Sequence, residues 1–331
     1  MALGLPMGLC WDACAVTTPP IIDPLDNSML LWWDFTDTTQ MFQEVASFTT
    51  AADANNDKIG RIKNKAITAQ TNLGIADVAR IGTFGRSITS SNRPTLKTGG
   101  ANGYSYAQFS SSDNTNMVTK QGASFGSHDD GDNLMTGAIL TDALTIVTVA
   151  ECDNDDNDGV EESIWHTTFH KSGSSAEVEY LLERKDATNP GGGQANQLNF
   201  DNVDSGVTMP CQVPISPNMI MSAGKLEVRF TSIGLNGPGT AQQQRGLNTV
   251  NLTGTFNAIE AAGGSFQSLV ANGSSQDSSV FLGANKTGSP KNFDGKIYEF
   301  IMFKQTLDID TMNGLAWYYA QKYGIDIQGP N

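Results

Sequence analysis

The pattern of apolar and polar positions is clearest near the C-terminus. Residues 297–303 (IYEFIMF) are apolar at every position except Glu299, so this run predicts a strand with both faces covered. The apolar residues between Met312 and Tyr323 then recur at helical spacing, which predicts one amphipathic helix. Asp308 or Asp310 can cap its first turn, because a short carboxylate accepts hydrogen bonds from free backbone amides. The chain is therefore expected to end by laying a helix on its own sheet.

Short apolar or alternating runs recur through the rest of the chain, separated by turns rich in Gly, Asn, Ser and Pro. Runs of this length with β-branched and aromatic residues predict strands. The chain is otherwise poor in helical patterns, so its fold class is predicted to be all-β. Residues 235–264 show no clear period and predict no element. The predicted strands are 30–35, 106–109, 144–150, 165–169, 176–182, 225–232 and 280–283.

Composition indicates one large β domain or two small ones. The chain has 331 residues, of which only 17% are charged, together with 34 Gly and 15 Phe. This balance is typical of short strands and polar turns around a sizeable core. The formal net charge of −15 argues against nucleic acid as a partner, because phosphates need a basic surface. No apolar run reaches the roughly 18 residues that a membrane span needs, so none is predicted.

Residues 1–28 form a distinct N-terminal segment in which several prolines bar regular pairing. The segment is apolar but lacks the positively charged start of an export signal, so we predict an extended arm rather than a leader. Two interpretations stay open, because an exposed apolar segment can strap its own domain or pack on a neighbouring subunit. The candidate assembly residues are Leu5, Leu9, Trp11, Pro19 and Pro20.

The predicted C-terminal strand and helix also follow a recognisable order of residues. Phe293, Gly295, Ile297 and Glu299 begin this pattern, and the tetrapeptide Lys322-Tyr323-Gly324-Ile325 ends it. Because the pattern combines a strand, a helix and a terminal tetrapeptide in fixed order, it is fairly specific.

A second set of matching residues lies near the start of the chain. Trp33, Asp34 and Asp37 are followed by Asn64-Lys65 and then by the step Arg93-Pro94-Thr95 before a strand. Together the two sets resemble the laminin-G-like and concanavalin-A-like lectin/glucanase jelly-roll domains of the kind found in bacteriophage structural proteins.

The resemblance covers about residues 29–326 and implies a particular architecture. This is a two-sheet antiparallel jelly-roll sandwich of the concanavalin-A type, with a short C-terminal helix and an extended N-terminal arm. Residues 29–331 would form the jelly-roll domain, and residues 1–28 would form the anchoring arm.

The resemblance also implies a role. The chain is expected to be a non-enzymatic bacteriophage virion protein, made in the cytoplasm of a host bacterium, that decorates or cements the capsid or belongs to a tail or fibre. Its jelly roll would face outward and bind host surface glycans. Its partners would be other virion subunits, with a homo-oligomer such as a trimer expected by analogy. The alternative is a free bacterial carbohydrate-binding module or a glucanase-like glycoside hydrolase.

Aromatic residues supply the candidate sugar contacts. Lectin-like domains stack sugars on exposed aromatic rings and hold the hydroxyl groups with carboxylates and amides in nearby loops. Trp165, Tyr104 and Tyr106 are the candidates for this role. A place in the core is the competing interpretation for each of them, because large aromatic side chains are mostly buried.

One stretch has the spacing of a glycosidase strand. Alternation places Glu177, Glu179 and Glu183 on one face, and a retaining glycosidase needs two carboxyl groups about 5 Å apart. However, Glu179 stands where the glucanases have Asp, and the flanking aromatics of a cleft are missing. The competing interpretation is the charged solvent face of an edge strand, and the sequence predicts no catalytic residues.

Calcium is the one cofactor that the sequence suggests. Asn154, Asp156 and Asp158 repeat the first half of an EF-type loop, but Trp165 occupies its last position and no helices flank it. Residues 53–57 and 128–133 are similar oxygen-rich loops. Hard cations prefer several such oxygens at once, and the competing interpretation is a solvated acidic turn.

Overall fold

The fold is described by a computed structural model. It describes residues 28–44, 47–66, 78–80, 90–119, 143–153, 162–171, 177–185, 197–200, 211–214, 223–234, 241–246, 257–259, 276–284, 292–303 and 307–325, together with residues 23, 26 and 305. Most of the predicted arm, 1–28, and the whole predicted calcium loop, 154–158, lie outside these residues.

The described residues are mostly strands, and they include one α-helix. The strands are β1 Met29–Asp34, β2 Met41–Phe42, β3 Arg61–Lys63, β4 Val78–Arg80, β5 Thr95–Lys97, β6 Tyr106–Phe109, β7 Met117–Thr119, β8 Ala143–Cys152, β9 Glu162–Lys171, β10 Glu177–Lys185, β11 Gln197–Phe200, β12 Cys211–Pro214, β13 Leu226–Gly234, β14 Ala241–Gly246, β15 Asn257–Ile259, β16 Gln276–Leu282 and β17 Gly295–Phe303. The helix, α1, is Ile309–Tyr323. The predicted all-β class is confirmed.

The strands form two sheets with antiparallel pairing. The first sheet has the order β15-β14-β13-β8-β17-β6-β5, and β1 also pairs with β17. The second sheet has the order β12-β11-β10-β9-β16-β7-β4-β3-β2. Strands that are far apart in sequence are therefore neighbours in space. In particular, β6, β17 and β8 lie side by side, and this arrangement positions the site described below.

Strand β17 is the centre of the first sheet, as its apolar run predicts. It pairs with β8 along one edge and with β6 and then β1 along the other. Its register with β8 shifts at Tyr298, which has no partner on that strand. Such a bulge turns two successive side chains to the same face. Tyr298 and Glu299 accordingly both contact Tyr323 of α1.

The residues at the two ends of helix α1 explain where it begins and where it ends. The carboxylate of Asp308 accepts from the amide of Thr311 at 2.7 Å, so Asp308 rather than Asp310 is the cap. Gly324 ends the helix in the left-handed region, with φ 65°, where a residue without Cβ is favoured. Between these ends, the stripe that includes Met312 and Tyr319 is buried. The predicted amphipathic helix is therefore confirmed.

The two sheets share one core. Trp165 of the second sheet contacts Phe300 of the first, with ring centroids 6.4 Å apart. Trp33 of β1 stacks on the same Phe300 at 5.4 Å. All three side chains are fully buried. This contact links the centres of both sheets, and burial of large aromatic rings supplies much of the stabilisation of such a core.

Two neighbouring polar residues, Asn64 and Lys65, stabilise the first strand. Asn64 accepts from the Trp32 amide at 2.8 Å and donates to the Leu30 carbonyl at 3.0 Å. Lys65 beside it forms an ion pair of 2.9 Å with Asp34. These residues therefore hold β1 in place, and in this part of the chain their role is structural.

Candidate functional site

A row of polar side chains crosses four neighbouring strands of the first sheet. Thr95 pairs with Gln108, Gln108 with Lys296, and Lys296 with Glu151. Residues paired across antiparallel strands project to the same face. With strands about 4.8 Å apart, this polar row (Thr95, Gln108, Lys296, Glu151) is about 14 Å long. All four residues are partly exposed to solvent.

The polar row is held in place by hydrogen bonds along its length. Gln108 Nε2 donates to Asp153 Oδ2 at 2.6 Å, just beyond the end of β8. Lys296 Nζ donates to Glu151 Oε1 and lies 3.9 Å from Asp153 Oδ1. Burial alone would lower the pKa of Lys296, but these two carboxylates outweigh it and raise that pKa. Lys296 is therefore charged, and its ammonium is paired with these carboxylates.

Tyrosine rings lie directly beside the polar row. Tyr106 is half-buried; its ring centroid is 5.2 Å from that of Tyr298 and 5.6 Å from Lys296 Nζ. Tyr104 is 37% exposed and contacts Tyr323 edge to face at 5.5 Å. Because Tyr298 and Tyr323 also touch, at 5.1 Å, the four rings form one continuous tyrosine run from Tyr104 to Tyr106. Its two ends are open to solvent, and its middle is buried.

A tight loop between β5 and β6 packs this tyrosine run against the helix. The amide of Ala101 donates to the Tyr298 hydroxyl at 3.0 Å, and Asn102 donates to the Lys322 carbonyl at 3.0 Å. A Cβ at Gly100 would lie 2.6 Å from both the Tyr298 hydroxyl and a ring carbon of Tyr106. Only glycine therefore lets the backbone approach the rings this closely.

A fully buried carboxylate, that of Glu299, connects helix α1 to β1 beside the tyrosine run. Glu299 accepts from Trp32 Nε1 at 2.9 Å, Lys322 Nζ at 2.7 Å, Tyr319 Oη at 3.2 Å and Tyr323 Oη at 2.5 Å. Three of these donors belong to α1 and one to β1. Buried charge is tolerated when it is paired and hydrogen-bonded in this way. We call this cluster the Glu299 anchor.

The Glu299 anchor perturbs the titration of its members. Burial and the nearby charge of Asp34 raise the pKa of Glu299, while the hydrogen bonds from Lys322 and Tyr323 oppose the rise. Burial would lower the pKa of Lys322, but the charges of Glu299 and Asp34 raise it. Burial followed by the charge of Glu299 raises the pKa of Tyr319 and Tyr323 well above 10. Both phenols therefore stay protonated donors at neutral pH.

The structure sorts the predicted sugar contacts into two groups. Tyr104 and Tyr106 lie at the ends of the tyrosine run, and Tyr106 lies beside Glu151 and Asp153. Trp165 is fully buried between the sheets and packs on Phe300. A ring with no exposed surface cannot stack a sugar, so the place of Trp165 is in the core.

The strand that carries the predicted glutamate face has an irregular register. The pairing of β10 with β9 shifts between Glu179 and Leu181. The strict period of two that the prediction assumed therefore does not run unbroken from Glu177 to Glu183. The irregular register removes the alternation argument for three carboxylates on one face.

Metal binding has no further support in the part of the chain that the structure describes. No group of three or more His, Cys, Asp or Glu side chains converges there. In the predicted oxygen-rich loop 53–57, the Asp57 carboxylate accepts from the amides of Asp53 and Ala54, which closes its own turn. Calcium at Asn154, Asp156 and Asp158 stays a prediction, because that loop is outside the described residues. Among the described residues, no helix has both the length and the apolar character to cross a bilayer.

Sequence reasoning missed most of the polar row. Gln108, Lys296 and Glu151 are each flanked by small or apolar residues, and nothing in their local sequence sets them apart. Their partner Asp153 directly precedes the predicted calcium loop, 154–158, and has no sequence signal of its own. The available signal was the polar positions of β6, β8 and β17, but their meeting depends on which strands pair.

Comparison with known proteins gives a fold likeness and no family. Scans against protein-family models and curated protein sequences give no match. Among solved structures, a GH54 α-L-arabinofuranosidase soaked with a cyclic sulfate inhibitor aligns with a TM-score of 0.52 and 12% identity, over 91% of this chain and 65% of its own. The same type of enzyme soaked with 4-nitrophenyl α-L-arabinofuranoside aligns with a TM-score of 0.51 and 11% identity, over the same shares.

Sialidase structures also match, at a lower level. Trypanosoma rangeli sialidase in complex with sialic acid aligns with a TM-score of 0.42 and 9% identity, over 89% of this chain and 33% of its own. The chain thus spans about two thirds of the arabinofuranosidase and one third of the sialidase.

The two arabinofuranosidase matches correct the expectation that the chain is not an enzyme. The two arabinofuranosidase structures, with TM-scores above 0.5, are those of a glycoside hydrolase rather than of non-catalytic phage domains. At 11 to 12% identity the likeness shows a shared β fold, and the activity in those titles belongs to those proteins.

Proposed function

We propose that this chain recognises carbohydrate through the polar row and the exposed ends of the tyrosine run. The observation that carries the proposal is the position of Tyr106 beside Gln108, Glu151, Asp153 and Lys296. Sugars present weakly apolar C–H faces, which pack on aromatic rings, and hydroxyl groups, which bond to fixed polar side chains. The site offers both kinds of contact on one partly exposed face.

The polar side chains are already fixed before a ligand arrives. Gln108 and Lys296 are each bonded to a carboxylate, so few rotamers have to be ordered on binding. Charge-assisted bonds to hydroxyl groups are stronger than neutral ones, and the site has both carboxylates and an ammonium. The fold likeness to a glycoside hydrolase agrees with a ligand of this class.

The proposal favours the alternative of a carbohydrate-binding module or glycoside hydrolase over the virion protein. Within it, we propose the two-sheet jelly-roll sandwich as the finer architecture. Location in a virion, anchoring by residues 1–28 and assembly as a trimer stay predictions.

The test is binding of the full chain to a panel of soluble polysaccharides and oligosaccharides, measured by calorimetry. We expect Tyr106→Ala to weaken binding about tenfold or more, which corresponds to about 1.4 kcal/mol. Phe48→Ala is the matched control, because Phe48 is 38% exposed and packs on Phe42 and Arg61, away from the polar row.

Release of reducing sugar is measured in the same reactions, because the fold likeness is to a hydrolase. If cleavage occurs, Glu151→Gln should reduce it, since Glu151 and Asp153 are the carboxylates of the site. Absence of binding to every glycan, or loss of binding in Phe48→Ala with Tyr106→Ala unaffected, would overturn the proposal.

A further inference from the structure

We propose that the polar row selects uncharged sugars and rejects sugars that carry a carboxylate. The inference rests on the proposed function and names the class of glycan that the same site takes. It follows from how the charged groups around Tyr106 are paired. A site built for an anion would present a cation without a carboxylate partner, whereas the ammonium beside Tyr106 is bonded to a carboxylate.

The lysine at the centre of the row is already neutralised. Lys296 Nζ bonds to Glu151 and lies 3.9 Å from Asp153, so two carboxylates face one ammonium. An anionic sugar placed over Tyr106 would meet this excess of negative charge. Like charges at such distances repel, and the partly exposed site screens them only in part.

The lysine at the other end of the tyrosine run, Lys322, is also paired with a carboxylate. Lys322 Nζ lies 5.2 Å from the Tyr104 centroid and forms a 2.7 Å ion pair with the buried Glu299. Removing it from that carboxylate would leave a buried charge unpaired, which is costly. Lys322 therefore cannot turn outward to bind an anion.

Two further lysines lie at the β5 end of the row. Lys58 Nζ donates to Thr95 Oγ1 at 2.8 Å, and Lys97 Nζ donates to Asn56 Oδ1 at 2.6 Å. Lys97 is the cross-strand partner of Tyr106, but its ammonium is bonded to Asn56 in loop 53–57. Lys58 lies at the opposite end of the row from Glu151, and both ammonium groups are bonded to neutral partners. The formal net charge of −15 also repels polyanions at long range. Neutral sugars meet neither the local repulsion from Glu151 and Asp153 nor this long-range repulsion, and their hydroxyl groups can still bond to the polar row.

The experiment compares matched pairs of glycans on the full chain at low salt. Each pair contains a neutral oligosaccharide and its uronic-acid or sialylated counterpart. We expect the neutral member to bind at least about tenfold more tightly, a difference of about 1.4 kcal/mol. Added salt should narrow that difference, because it screens the carboxylates.

Two substitutions of equal charge change separate local from long-range effects. Glu151→Gln keeps the side-chain shape and frees Lys296 from its closest carboxylate, so binding of the anionic member should rise at least about threefold at low salt. Glu44→Gln makes the same charge change at an exposed position whose carboxylate accepts from Thr50. It should leave the preference unchanged. Asp153→Asn, on a more exposed residue, serves in place of Glu151→Gln if that variant does not fold.

The outcomes distinguish this inference from the proposed function. Wild-type binding of the anionic member as tightly as the neutral one would overturn the inference and leave glycan recognition standing. An equal gain in anion binding from Glu44→Gln and Glu151→Gln would also overturn it, since the effect would then be one of total charge. Failure to bind either member of any pair would refute the proposed function itself.

Discussion

At the scale of single residues, Glu299 shows how one polar side chain in an apolar run organises its surroundings. The sequence marks it as the break in 297–303 and as one residue of the C-terminal pattern, without indicating what it contacts. In the fold its carboxylate takes four hydrogen bonds and joins α1 to β1 and β17. A residue that looks like an interruption of the strand therefore links the helix to the sheet through four hydrogen bonds.

Replacing this carboxylate should weaken the protein and change its response to alkali. Glu299→Gln leaves Lys322 buried without its counter-charge, and breaking such a pair costs about 3–5 kcal/mol of unfolding free energy. The pKa of Lys322 is raised above its usual 10.5, so its contribution is present below that pH and is lost as pH rises through the folded pKa. Tyr319 and Tyr323, with pKa values raised above 10, act in the same direction.

Chemical unfolding at neutral pH and in steps above pH 10 measures both effects. The wild type should lose stability steeply in that alkaline range, and Glu299→Gln should lose it less steeply, because the lysine no longer gains from the carboxylate. Burial still raises the pKa of both tyrosines, so some loss remains. Glu44→Gln, at an exposed position, should match the wild type. Equal alkaline slopes for wild type and Glu299→Gln would contradict this account.

At the scale of elements, the loop between β5 and β6 sets the position of the tyrosine run. Gly100→Ala should displace the Tyr298 hydroxyl or the Tyr106 ring, because its Cβ would lie 2.6 Å from each. We expect weaker glycan binding, about fivefold or more, roughly 1 kcal/mol. Gly99→Ala is the matched control. Its φ of 74° strains an alanine, but no atom lies within 4 Å of the added carbon.

The two glycine variants should differ in the property that each loses, which is stability for one and glycan binding for the other. Gly99→Ala should lower the melting temperature while each folded molecule binds glycan normally. Gly100→Ala should lose binding even at temperatures where circular dichroism shows it fully folded. If both variants lose stability and keep the same affinity, the loop does not position the rings.

Elements were more predictable than the site that they build. Local patterns suffice for β8, β17 and α1, because an apolar run or a helical stripe lies within a few residues of sequence. The pairing of Gln108 with Lys296 joins residues far apart in the chain, and a shift of register by one residue would turn either to the other face. The bulge at Tyr298 and the irregular register after Glu179 show that strict alternation fails at such points.

At the scale of the whole molecule, the contact between the two sheets decides whether they unfold together. Trp165 lies in β9, near the middle of the second sheet, and its fully buried ring packs on Phe300 of β17. Trp33 of β1, the cross-strand partner of Phe300, stacks on the same ring. One aromatic cluster thus joins the central strands of both sheets, and neither sheet can lose it without exposing the core of the other.

Trp165→Ala should therefore destabilise the whole protein by about 3–5 kcal/mol, the usual cost of deleting a buried large aromatic side chain. Unfolding followed by far- and near-ultraviolet circular dichroism should give coincident transitions, because the sheets share this core. Tyr104→Ala is the control, since its ring is 37% exposed and its loss should change stability much less. In the glycan-binding assay the order of the two effects should be reversed. Tyr104→Ala should weaken glycan affinity, and folded Trp165→Ala should not. A Trp165→Ala variant with wild-type stability and no glycan binding would instead return Trp165 to the sugar-contacting role that its sequence first suggested.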